Sequence, residues 1–240
     1  MGVLDETIEV PRKTMCLFFL VDGSGSMSGD KIGSLNQGIR EVLPDLRDIS
    51  DSNADALIKV AVLQFSSGTQ WITPAPQELE NIMWTDIEAG GVTDMGEAFT
   101  ELDSKLNRNA FLADAVGNYA PVIILMSDGE PTDDWDSGLK KLKANKWFNA
   151  AIKIAFSIGS DANDDILTAF TGNKETVIPI NNKDIMKKMI RFVSVTSSRI
   201  GSKKAGSSED DAAAKQAEVA EAIQSEMEEL DPEENYNEGW

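Results

Sequence analysis

Leu17-Phe18-Phe19-Leu20-Val21-Asp22-Gly23-Ser24-Gly25-Ser26-Met27 decides how the rest of the chain is read. Together with Met15 and Cys16, the residues up to Val21 form an unbroken apolar run, the pattern of a strand buried on both faces. The run empties into Asp22-x-Ser24-x-Ser26, and helix-forming sequence begins near Lys31. Strand, oxygen-rich loop and helix in that order place a ligand site at the carboxyl end of a strand in an open α/β sheet. Three hard oxygen donors at alternate positions suit a hard divalent cation such as Mg²⁺ or Mn²⁺. The same residue types also cap helices and close turns, and the stretch alone does not separate the two readings.

Working outward, Ile32, Leu35, Ile39, Val42, Leu43, Leu46 and Ile49 recur at helical spacing, with Pro44 predicting a kink or a restart. Ala56–Ser67 is rich in strand formers, and Gln70-Trp71-Ile72 reads as its hairpin partner at a sheet edge. A glycine-marked turn, Ala89 to Gly96, leads into a helix over 95–107. Pro121–Met126 repeats the doubly buried pattern and ends in Ser127-Asp128-Gly129. A helix is expected over 135–146, a strand over 152–158, a short helix over 164–170, an edge strand over 176–180, and a last helix running to about 197. Alternation of this kind predicts a doubly wound, mostly parallel sheet with one antiparallel edge strand and helices on both faces. The domain is expected over 14–199, after a polar lead-in over 1–13.

Net charge is −19 and unevenly spread: residues 205–240 hold twelve acids and one Lys, and so carry −11 of it. With no basic stripe, nucleic-acid binding is not expected. The chain has no histidine, which removes His zinc sites and Ser/His/Asp triads, and its single Cys16 permits no disulfide. The first thirteen residues lack the apolar run of a signal peptide, and no run approaches a membrane span; a cytoplasmic setting is the expectation. Beyond 199, Gly201–Ser208 reads as linker, and Ser208 with Asp211 as a capping box. Val219, Ile223, Met227 and Leu230 make a narrow stripe with Glu228 and Glu229 at the unfavourable end, so 200–240 reads as an acidic linker and a disordered or fraying helical tail. The sharper alternative is a partner-docking helix anchored by Trp240.

Asp22, Ser24 and Ser26, Thr93 in its Gly90-Gly91 turn, and Asp128 fall on the same expected edge of the sheet. They supply two carboxylates and three hydroxyls, enough for most of a six-coordinate oxygen site. This set resembles the metal-ion-dependent adhesion site of the von Willebrand factor type A domain, a Rossmann-like fold, over about residues 14–198. Within that family, Lys59–Ser66, Trp71–Pro74 and Ser127–Asp133 are most similar to the bacterial cytoplasmic branch of TerY-like, tellurium-resistance proteins.

The resemblance implies binding rather than turnover. Ser24, Ser26 and Thr93 would touch the metal, Asp22 and Asp128 would act through water, and a partner protein's Asp or Glu would fill the vacant position. It implies Mg²⁺ first, with Mn²⁺ or Ca²⁺ as alternatives, and stress-response complexes that include kinases or phosphatases. Met27, Met95, Asp133, Asp134 and Trp135 would lie on the rim, either as ordinary loop side chains or as partner contacts. A scaffold with a non-essential metal site is the alternative. A hydrolase or phosphotransferase is disfavoured, because Gly-x-Ser-x-Gly is unmatched, Asp30 interrupts a phosphate-loop Gly-Lys pair, and no histidine exists.

Overall fold

In a computed structural model of the chain, residues 11–160, 162–203 and 209–230 are described. Residues 1–10 of the lead-in, Ser208 of the capping box and Trp240 lie outside them.

The opening stretch forms β1 (Lys13–Asp22), buried from Thr14 onward. It pairs in parallel with β2 (Ala56–Ser66) on one side and β5 (Val122–Ser127) on the other. Outside β5 lie β6 (Ile152–Ile158) and β7 (Val177–Ile180), also parallel. The free edge of β2 is covered antiparallel by β3 (Gly68–Trp71) and, further along, by the two-residue β4 (Gln77–Glu78). The order β3-β2-β1-β5-β6-β7 puts the two most apolar strands at the centre, as their unbroken apolar runs require.

Side-chain alternation along β1 divides the core. Met15, Leu17, Phe19 and Val21 face α1 (Asp30–Ser52) and α6 (Lys183–Gly201). Cys16, Phe18 and Leu20 face the layer built from α2 (Met95–Lys105), α3 (Trp135–Lys143), α4 (Lys146–Ala150) and α5 (Asp164–Thr171). Pro44 neither ends nor restarts α1. It sits on the exposed side, while Val42, Leu43, Leu46 and Ile49 stay buried on the other. The expected boundary at 199 falls inside α6, and α4 occupies a stretch whose five residues are too few to show periodicity.

The largest departure from expectation is at the carboxyl end. Residues Glu209–Glu229 form α7, and it is docked rather than solvated. Val219, Ile223 and Leu230 are buried within the layer on the α1/α6 side, and Ala220 is covered as well. The Gln216 amide fixes the register: its Oε1 accepts from Lys153 N at 2.9 Å, and its Nε2 donates to Lys153 O at 2.7 Å and Thr176 Oγ1 at 3.1 Å. Pairing of β7 with β6 begins only at Ala155, so Gln216 takes the backbone groups that a longer β7 would have used. Lys188–Glu226, at 3.3 Å, and Lys203–Glu218 tie α7 to α6 and the segment after it.

Candidate metal centre

The strand order reverses direction at β1: its crossover leads to β2 on one side, while β5 lies on the other. The carboxyl ends of β1 and β5 therefore open into a crevice, the place where such sheets bind ligands. Asp22 ends β1 and Asp128 follows β5. The third loop arrives from the β2 side and is stitched to both. Gly25 N donates to Gly91 O (3.1 Å), Gly90 N to Gly23 O (2.8 Å), and Thr132 N to Thr93 O (2.8 Å). Gly91 has φ +81°, and a Cβ there would lie 2.5 Å from Ser67 Oγ, so the turn that carries Thr93 needs glycine on both counts.

All five expected residues are brought together. Asp22, Ser24, Thr93 and Asp128 are buried, whereas Ser26 is exposed and marks the open side. Ser24 Oγ and Ser26 Oγ are 3.0 Å apart, and Ser26 Oγ donates to Asp128 Oδ1 at 2.7 Å. A Cβ added to Gly129 would lie 3.4 Å from Ser26 Oγ and 3.9 Å from Thr93 Oγ1, so glycine keeps open the space between these hydroxyls. In an octahedral Mg²⁺ site with metal–oxygen distances of about 2.1 Å, neighbouring oxygens stand about 3 Å apart. The Ser24–Ser26 and Ser26–Asp128 oxygen pairs, hydrogen-bonded at 3.0 and 2.7 Å, lie near that spacing. Among the described residues no group of three or more His, Cys, Asp or Glu is placed to hold a metal. The donor set depends instead on the hydroxyls of Ser24, Ser26 and Thr93.

Burial pushes the Asp22 carboxyl up. Hydrogen bonds from Ser127 and Ser24 pull it back, and the neighbouring Asp128 charge raises it further. Ser24 N donates to Asp22 Oδ1 at 2.8 Å and Ser127 Oγ to Oδ2 at 2.6 Å. Two buried carboxylates facing one crevice favour a cation between them.

Several supporting contacts go beyond what the sequence pattern indicates. Ser127 orients Asp22, and Thr132 Oγ1 accepts from Thr93 N at 3.1 Å. Lys31 Nζ donates to Asp128 Oδ2 at 2.5 Å. Asp133 accepts from Gly96 N (2.9 Å) and Glu97 N (2.8 Å), satisfying the first turn of α2 from across the loop. Asp134 caps α3 through Ser137 N. Met27 and Met95 are buried, at 0% and 1% exposure, and so are not rim residues; Trp135 packs against the core layer. The loops are held in register by an approach of α2 to α3 that only glycine permits: a Cβ on Gly138 would meet Gly96 O at 2.3 Å. One signal was legible for Lys31, a cation in the first turn of a helix, where the dipole disfavours it.

Comparison with known proteins gives the same fold. The family model for the von Willebrand factor type A domain matches residues 17–193. Bovine inter-alpha-trypsin inhibitor heavy chain H1 is 25% identical over 115 residues, which is 48% of this chain and 13% of that protein. A structure of proximal thread matrix protein 1 from the mussel byssus, with a zinc-occupied MIDAS motif, has TM-score 0.57 and 18% identity, covering 77% of this chain and 48% of that one. VWA2, the ArnB paralog of Sulfolobus acidocaldarius, has TM-score 0.56 and 19% identity over 75% and 44%. The chain thus spans under half of each of these relatives.

Proposed function

Since this chain belongs to the von Willebrand factor type A domain family, whose members mediate metal-dependent protein interactions, we propose that it is a binding module gripping a partner's carboxylate through a divalent cation. One observation carries the reading: three loops stitched by backbone hydrogen bonds bring Asp22, Ser24, Ser26, Thr93 and Asp128 to one crevice, with the Ser24, Ser26 and Asp128 oxygens linked at 3.0 and 2.7 Å. Ser24, Ser26 and Thr93 would hold the cation directly, and Asp22 and Asp128 through water. Hard oxygen donors suit Mg²⁺, the first candidate, and equally Mn²⁺ or Ca²⁺. The cation supplies positive charge at the exposed Ser26 side, where an Asp or Glu of another protein can reach it. The role is read as adaptor or scaffold rather than enzyme, which the family's role in protein interactions and a byssal matrix protein among the similar structures support.

The narrower part of the proposal is a bacterial, cytoplasmic, tellurium-resistance-type stress complex with kinase or phosphatase components. It rests on the Lys59–Ser66 and Ser127–Asp133 segments of the sequence. The test is capture of partners from a native lysate with Mg²⁺ or with EDTA, using Asp22→Ala and Thr93→Ala as controls. Partners that appear only with metal and the intact loop are the expected result. Identical capture in EDTA and by both variants would leave a scaffold whose metal site is dispensable.

A further inference from the structure

The crevice contains a cation of its own. Lys31, in the first turn of α1, reaches back so that its Nζ lies 2.5 Å from Asp128 Oδ2, with 16% of the Lys31 side chain and none of the Asp128 side chain exposed. We propose that Lys31 is a tethered counter-cation that competes with the divalent ion for Asp128, lowering cation affinity and leaving the loaded site positive. This rests on the metal-binding reading above.

The two oxygens of Asp128 are both engaged: Oδ1 accepts from Ser26 Oγ and Oδ2 from Lys31 Nζ. Among the described residues, Asp22 has hydroxyl and amide donors but no cation. With both carboxylates ionised, the pair and Lys31 sum to one negative charge. A divalent ion brings the sum to one positive charge, which a single partner carboxylate neutralises. Without Lys31, the loaded crevice would already be neutral, and an incoming carboxylate would leave it negative. Lys31 therefore opposes the metal and favours the ligand. Its position against the helix dipole fits a residue kept for charge rather than for helix stability.

The test is Mn²⁺ binding at fixed neutral pH to the full chain, read calorimetrically and by the electron paramagnetic resonance signal of free Mn²⁺. Wild type, Lys31→Met, Lys31→Gln, Lys31→Arg and Thr93→Ala are compared, and melting in EDTA shows which variants are folded. A like charge a few ångströms away changes ion affinity by about ten-fold or more. Lys31→Met, or Lys31→Gln should the Met variant not fold, is expected to bind Mn²⁺ tighter by at least that factor, with Lys31→Arg near wild type. Unchanged or weaker binding in both neutral variants, with wild-type binding intact and lost in Thr93→Ala, overturns the Lys31 assignment and leaves the metal site standing. Absence of Mn²⁺ binding in wild type and neutral variants alike overturns both.

Discussion

The loop Asp22–Met27 and the helix α7 are both polar segments that the chain folds against its core, yet one announces itself in sequence and the other hides. The loop's function is written in spacing: alternate oxygens between glycines after an apolar strand. The helix docks through three aliphatic side chains and one glutamine whose partner is backbone. Backbone edges have no sequence signature of their own. A narrow stripe on an acidic helix therefore reads as solvated until the unpaired part of β6 comes into view. Donor chemistry is local and legible, whereas docking depends on what a distant strand leaves uncovered.

Deleting residues 204–240 is the severest way to break that contrast. Burial of Val219, Ile223 and Leu230 is worth roughly 1.5–3 kcal/mol each by area, an upper range. Loss of about 5 kcal/mol is expected in urea titrations, a large share of a domain's stability. An unchanged midpoint would return α7 to the status of a tail. Gly96→Ala comes next, since its Cβ would sit 2.6 Å from Asp134 O. Overpacking there should cost about 2–3 kcal/mol and also weaken Mn²⁺ binding, because α2 carries the Thr93 turn. A stable variant with unchanged Mn²⁺ affinity would show that the loop is positioned by its own hydrogen bonds.

Gln216→Ala removes the amide that pairs with Lys153 and leaves buried backbone groups at the β6 edge, an expected loss of about 2 kcal/mol by denaturation. Equal stability would mean that the aliphatic stripe docks α7 alone. Lys153 adds a pH signature. Burial pushes its ammonium down to about 8, below the unfolded value near 10.4. Between those values the unfolded chain holds more protons, so stability rises with pH through the interval and is flat below it. A rise of about 1 kcal/mol is expected in wild type between pH 8 and 9 after allowance for partial exposure, and none in Lys153→Met. Above pH 9 the buried Cys16 thiol, pushed up to about 12, opposes the rise in both proteins. Parallel curves for the two proteins would remove Lys153 from the account.

The central and edge character of the strands and the choice of the five candidate oxygens follow from patterns a few residues long, and these were readable. Apolar run length separates central from edge strands, and glycine spacing shapes the loops. What escaped depends on pairs far apart in sequence. Lys31 meets Asp128 across 97 residues, and Gly96 admits Gly138 across a helix contact. Pro44 lies inside α1 and does not make the helix restart. A proline forbids one hydrogen bond, but on the solvent side of a helix whose other face is fully packed, that loss does not break the element.

Thr93→Val is the gentlest change and the most discriminating. Thr93 is 5% exposed, and among the described residues its Oγ1 makes no protein hydrogen bond, while its N and O are held by the 132 position. Replacing hydroxyl by methyl keeps the volume and leaves no donor stranded, so stability should move by less than about 0.5 kcal/mol. Mn²⁺ affinity should nonetheless fall by about ten-fold or more, since one of the inner oxygens is gone. The truncation reverses this pattern: it should unsettle the fold and, where the protein stays folded, leave Mn²⁺ affinity near wild type. If Thr93→Val instead melts early and binds Mn²⁺ normally, then the hydroxyl serves packing, and the loop would be a structural turn like those its composition also permits.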